Sequence, residues 1–156
     1  MSETIKNWVN ICVKKDNKIL LLNRQHDDFK GWIQPGGKVE FPESFFEAAV
    51  RELKEETGLT ALNLELKGIS GFTNPLKKER YVYYDFLCQS FEGDLLKTSR
   101  EGEPRWFSLE EIEHLEMQDD IRERLPLYYR KGSFERIHYW DDQLKKVVKT
   151  VTKCYD

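Results

Sequence analysis

Residues 37–59 read GKVEFPESFFEAAVRELKEETGL, and the rest of the chain is best understood outward from them. Four glutamates recur here at fixed offsets, Glu43 and then Glu52, Glu55 and Glu56, between the bounding glycines Gly37 and Gly58. Residues three and four apart share a helix face. At about 100° per residue, Glu56 falls about 40° to one side of Glu52 and Glu55 about 60° to the other. The three carboxylates therefore crowd one sector. Phe46, Val50 and Leu53 occupy the adjoining sector, which the pattern assigns to the core, while Glu47, Arg51 and Lys54 cover the remainder.

Such crowding is unfavourable without cations. Two carboxylates about 4 Å apart repel by roughly 4 kcal/mol at an effective dielectric near 20. Hard oxygen donors select Mg²⁺, Mn²⁺ or Ca²⁺, and Mg²⁺ commonly arrives with phosphate. Taken by itself, the charge pattern also fits a surface helix whose glutamates meet only Arg51, Lys54 and water.

The flanking residues decide between the two. Gly37, Glu43, Arg51, Glu52, Leu53, Glu55, Glu56, Gly58 and Leu59 resemble, at every specified position, the signature of the Nudix (MutT-type) hydrolases. Seven fixed residues at ordinary frequencies match by chance on the order of once in a billion start positions, so a mere charge run is set aside. The resemblance implies a loop–helix–loop that holds divalent metal, Mg²⁺ with Mn²⁺ as substitute, against substrate phosphates. On that reading Glu52 and Glu56 are metal ligands, Glu55 is a ligand directly or through water, and the Gly36 carbonyl completes the set. Arg51 and Glu43 orient the carboxylates. An acidic residue in a later loop often serves as well; Glu101 is the candidate here and Glu103 the second choice.

A narrower resemblance runs along most of the chain. The order WxxPGGKVE, the motif, FEGDLL, EGEPRWFSLEEI, paired aspartates before a helix and a C-terminal hairpin is similar to the 8-oxo-dGTP diphosphatase branch. That branch cleaves purine nucleoside triphosphates to monophosphate and pyrophosphate. It implies that Asp119 and Asp120 bond the purine and that Phe72 lines its pocket, with Gly37 and Lys38 also against substrate. Ile33 stands where the branch has an asparagine that reads the base, and Met117 where a tryptophan stacks on it. Ile33 has no hydrogen-bonding side chain, whereas Met is adaptable enough to cover a purine face. For Asp119 and Asp120 the residues themselves also allow simple helix N-capping. Other substrates within the family, a dinucleoside polyphosphate, a nucleotide sugar or a capped RNA end, remain alternatives, as does a domain that senses nucleotide without hydrolysing it.

The remaining sequence fits a single domain over residues 1–156. Four Trp, seven Tyr and nine Phe supply a core although 34% of residues are charged. A net charge of −3 excludes bulk nucleic-acid binding as a basic surface would offer it, so the expected partner is a small nucleotide; nothing in the chain specifies an oligomeric state. Cys12 and Cys88 sit in apolar runs and read as reduced core residues. MSETIKNWVN lacks a signal-peptide pattern and no apolar run reaches membrane-spanning length; a cytoplasmic enzyme is expected.

Val9, Ile11 and Val13 alternate with Asn10, Cys12 and Lys14, which predicts a strand with one polar face. A turn at Asp16-Asn17 leads into the buried strand 18–23, and 24–30 reads as a loop, with His26 a candidate substrate contact. Ser44 with Glu47 forms a capping-box pattern before the motif helix, and Gly58 ends it. Strands follow over 62–72, broken near Gly68, then over 81–89 and 105–107. Ser108 with Glu111 opens a short helix, 119–130 a second one interrupted at Pro126, and 134–151 forms a hairpin whose lysines mark an edge. Elements in this mixed order predict an α+β architecture, the α/β/α sandwich with a mixed β-sheet that the resemblance implies.

Overall fold

The computed structural model describes residues 2–25 and 30–156; His26 lies outside them. Strand β1 (Thr4–Lys15) runs through the middle of the sheet, flanked in parallel by β7 (Glu79–Cys88) from Thr4↔Glu79 to Val13↔Cys88. Beyond β7 the sheet continues antiparallel with β6 (Glu65–Asn74), then parallel with β10 (Ser133–Asp141), and ends at β11 (Lys146–Tyr155). On its other side β1 divides its partners. Trp8, Val9 and Asn10 pair with the short strand β4 (Gly36–Lys38), whereas only Lys14 and Lys15 pair with β2 (Lys18–Arg24). Strand β2 in turn carries β3 (Gly31–Ile33) and β9 (Pro104–Ser108). A separate small ladder joins β5 (Thr60–Ala61) to β8 (Phe91–Glu92).

Helix α1 (Phe45–Thr57) covers one face of this mixed sheet, packing with Ala48, Ala49 and Leu53 on Val9, Ile11, Val13 and Phe86. The other face is covered by α2 (Leu109–Ile112) and α3 (Asp119–Tyr129), where Ile121, Leu125 and Tyr128 meet Cys12, Leu87 and Phe107. This is the expected α/β/α sandwich. No helix among the described residues is long and apolar enough to cross a membrane.

Several sequence expectations are corrected. Strand β1 has no polar face, because Asn10 and Cys12 are buried under α3 while Val9, Ile11 and Val13 are buried under α1. The core-facing sector of α1 is also rotated from the expected one. Phe46 and Val50 are 48% and 38% exposed, and the buried positions are Ala48, Ala49, Glu52, Leu53, Glu56 and Thr57. Two alanines let the helix lie close to the sheet, so the acidic sector itself turns inward. Phe46 and Val50 instead line an open groove of about 530 Å³ with Leu62 and Leu64. Near Gly68 the strand β6 bulges rather than breaks. Pro126 lies inside α3 without interrupting it. It forfeits one backbone donor, while the flanking Leu125 and Tyr128 remain anchored in the core.

Candidate active site

Local sequence rules place the acidic helix. Ser44 accepts from the Glu47 N–H at 3.1 Å and Glu47 accepts from the Ser44 N–H at 2.9 Å, the reciprocal cap that starts α1. Gly58 ends it in the left-handed region at φ 86°, donating to the Lys54 carbonyl. Between these ends, Glu52 and Glu56 point into the angle between α1 and β4. A Cβ on Gly37 would lie 2.4 Å from the Glu52 carboxyl, so only glycine allows this approach. The Gly36 N–H donates to Glu56 Oε2 at 3.3 Å.

One cation organises the near side of the cluster. Arg51 donates in bidentate fashion to Glu43 at 3.0 and 2.7 Å, to Glu52 at 2.9 Å, to Glu55 at 3.3 Å and to the Lys38 carbonyl at 3.1 Å. Its bond holds the Glu43 carboxyl below the usual range, and the same bond pushes the guanidinium up. Glu56 behaves oppositely. Burial, followed by the adjacent Glu52 and then the charge of Glu101, drives its carboxyl strongly upward. Two carboxylates set side by side against a glycine strand, one of them well buried, are the hard-oxygen donor chemistry that a divalent ion fits. Among the described residues no three His, Cys, Asp or Glu side chains are arranged to hold a metal ion by themselves, so the paired carboxylates would need the backbone carbonyl beside them or substrate oxygens to complete a set.

The structure separates the other expected acidic residues. Glu101 comes close enough to act on Glu56, held by a turn in which Ser99 and Gly102 exchange backbone bonds at 3.0 and 3.1 Å. Gly102 packs that turn on β2, where a Cβ would lie 2.2 Å from the Asn23 carbonyl oxygen. Glu103 instead pairs with Arg105 at 3.1 Å. Glu55 is exposed, with its carboxylate against Arg51 and, at 3.9 Å, Arg100. Lys38 is exposed at the end of β4.

The residues assigned to base recognition gather on the face covered by α3. Ile33 and Met117 are half-buried and pack on that face's core, and the Trp32 N–H bonds to the Glu116 carbonyl at 2.9 Å, tying β3 to this segment. Phe72 meets Tyr81 edge-on at 6.4 Å and His138 at 5.2 Å. Neither aspartate caps α3, since the N-cap is Gln118 without a side-chain bond. Asp119 is exposed. Asp120 accepts from Arg124 at 3.1 Å and Arg136 at 3.1 Å, and lies 2.8 Å from His138 Nε2. Burial raises its carboxyl, but His138, Arg124 and Arg136 outweigh that and hold it well below the usual range.

Sequence reasoning missed several groups here. Trp8 stacks on Tyr83 at 6.0 Å beside this cleft, and Asp85 is buried beneath it, accepting from Asn10 at 3.1 Å and Tyr128 at 2.6 Å. Polar residues at positions 10 and 85, inside apolar strand runs, were the available signal.

Comparison with known proteins follows this geometry. The Nudix domain family matches residues 6–128. The chain is 33% identical over 118 residues, 72% of each chain, to an uncharacterized Nudix hydrolase, YvcI, of Bacillus subtilis. It is 36% identical over 108 residues to an ADP-ribose pyrophosphatase of Methanocaldococcus jannaschii, spanning 69% of this chain and 64% of that one. Against an oxidized purine nucleoside triphosphate hydrolase of Danio rerio it is 34% identical over 132 residues, 84% of each. Among solved structures, a MutT protein from Bacillus halodurans superposes with a TM-score of 0.80 at 26% identity, over 95% of this chain and 97% of that one.

Proposed function

Since the chain belongs to the Nudix family of pyrophosphate-bond hydrolases, we propose that it hydrolyses a nucleoside triphosphate, a purine preferred, to the monophosphate and pyrophosphate with Mg²⁺. The observation that carries the reading is the convergence of buried Glu52 and Glu56 on the glycine strand β4. Together with the Gly36 carbonyl these two would hold the ion, Glu55 joining directly or through water. When bound, the ion supplies charge neutralisation at the phosphate oxygens and acidifies the attacking water. Glu101 stands where it can take the proton of that water. Arg51 favours the ionised form of Glu43 and holds both Glu43 and Glu52 in place. Ile33, Met117 and Phe72 give the base an apolar wall, and Gly37 and Lys38 border the phosphates.

The purine preference is supported by the similarity to the zebrafish enzyme. The same similarity favours an oxidised purine; against selectivity for oxidised guanine stand Ile33, which offers no hydrogen bond, and Asp120, both of whose oxygens are engaged within the protein. The archaeal relative gives the second reading its footing, a nucleoside diphosphate derivative such as ADP-ribose. Incubation with Mg²⁺ and dGTP, 8-oxo-dGTP, ADP-ribose or a dinucleoside polyphosphate, with product identification, decides. Pyrophosphate from the triphosphates is the expected result. Cleavage of ADP-ribose alone would sink the triphosphate assignment, and binding without products would leave a nucleotide sensor.

A further inference from the structure

Asp85 is fully buried on a strand whose neighbours facing the same way are apolar or aromatic. A matched apolar set at positions 10, 85 and 128 would cost little stability, since no buried donor would be left without an acceptor. What the polar pair does instead is connect two parts of the molecule. Asn10 is the register partner of Gly36, and a Cβ on Gly36 would lie 2.8 Å from Asn10 Oδ1. The Asn10 amide therefore packs on the α-carbon of the glycine strand. Its Nδ2 donates to Asp85 Oδ1 at 3.1 Å, which fixes the amide's orientation. The same Oδ1 accepts from the Tyr128 hydroxyl at 2.6 Å, so the column ends on α3. That helix also bears Asp119 and Asp120. Backbone pairing of β4 with Trp8, Val9 and Asn10, extended by the Ile11 N–H to the Pro35 carbonyl at 2.9 Å, holds the strand as well, while the Gly36 N–H turns to Glu56.

We infer that Asn10, locked by Asp85 and Tyr128, is a positioning residue that sets the glycine strand β4 against Glu52 and Glu56, and so prepares the cation and phosphate site from the opposite face of the sheet. The column transmits position, not protons; neither Asn10 nor Asp85 touches the reacting atoms. This inference rests on the reading of the site as a metal-dependent pyrophosphohydrolase.

The test compares Asn10→Leu, Asp85→Asn and the triple variant Asn10→Leu/Asp85→Leu/Tyr128→Phe with the wild type. Three quantities are read: kcat and KM with Mg²⁺ on dGTP and on ADP-ribose, Mn²⁺ affinity by electron paramagnetic resonance, and Tm. Asn10→Leu is expected to lower kcat about 10- to 100-fold with KM within about twofold, and to weaken Mn²⁺ about 10-fold. Asp85→Asn keeps an oxygen for both donors and should lose only about threefold. The triple variant, in which no donor of the column is left without its acceptor, should fold with a Tm near that of the wild type and still show the Asn10→Leu defects, which separates positioning from stability. Wild-type kcat and Mn²⁺ affinity in the triple variant would overturn the inference, as would defects that appear only where Tm falls. If the wild type cleaves neither nucleotide, the substrate reading fails on its own, and the Mn²⁺ comparison still decides the role of Asn10.

Discussion

The two faces of the sheet each bury carboxylates, and they treat them in opposite ways. Under α1, among the described residues, Glu43, Glu52 and Glu55 share one arginine, Arg51, with exposed Arg100 3.9 Å from Glu55. Burial and the neighbouring Glu52 push the Glu56 carboxyl up. Under α3, Asp120 alone has Arg124, Arg136 and His138, while Asp85, pushed up by burial as Glu56 is, has two donors on one oxygen and Arg124 nearby. The first cluster is short of positive charge and the second is supplied. A protein stabilises its own structure with supplied clusters; a cluster left short is where a ligand's charge is meant to arrive.

The contrast is broken most sharply at Glu52. Glu52→Gln should lower turnover on the order of 1,000-fold while leaving Tm unchanged or raised, because a repelling charge is removed; a kinetic assay beside differential scanning fluorimetry checks both. On the supplied face the signs reverse. Asp85→Ala leaves the Asn10 amide and Tyr128 hydroxyl without their acceptor, at about 3 kcal/mol, and should lower Tm by about 10 °C in a thermal melt.

Smaller effects sharpen the same line. Arg51→Ala should lower kcat/KM about 10- to 100-fold, and Arg51→Lys should recover little, since an ammonium cannot reproduce the bidentate bond to Glu43. The Asp120 carboxyl is held below its ordinary value, so its ionic contribution is complete above the unfolded pKa of about 3.9 and fades as pH falls through the folded one. The Tm advantage of wild type over Asp120→Asn should therefore be level from pH 7 to about 5 and narrow below about 4; an advantage that widens in acid contradicts the clamp. Least of all, Phe46→Ser at the open groove loses an edge contact with Phe86 at 4.8 Å and should cost about 1 kcal/mol, against about 2–5 kcal/mol for Leu53→Ala in the core.

The short face was readable from the chain alone because its residues lie within 23 positions and their spacing is helical. Glu43, Arg51, Glu52 and Glu56 could be placed together without knowing any tertiary contact, and both helix caps stood where local rules put them. The direction in which α1 faces was not readable. Hydrophobicity favours burying Phe46 and Val50 over two alanines, and only the glycine strand opposite makes the acidic side the buried one. The supplied face was largely hidden. Its members come from β1, β7, α3 and β10, and nothing local in Asn10, Asp85, Arg124 or His138 says that they meet. Even Asp120 looked like a free acceptor until Arg136 and His138 arrived from the C-terminal hairpin.

The parallel pairing of β1 with β7 brings Asn10 to Asp85 across 75 positions of chain. Parallel β6 and β10 repeat the device. Contacts so distant gain nothing until a long loop has closed, and such loops close slowly. The acidic helix, by contrast, can begin from its own caps. The acidic helix is thus specified by neighbours in sequence, and the direction in which it is aimed by contacts that only long-range closure can make.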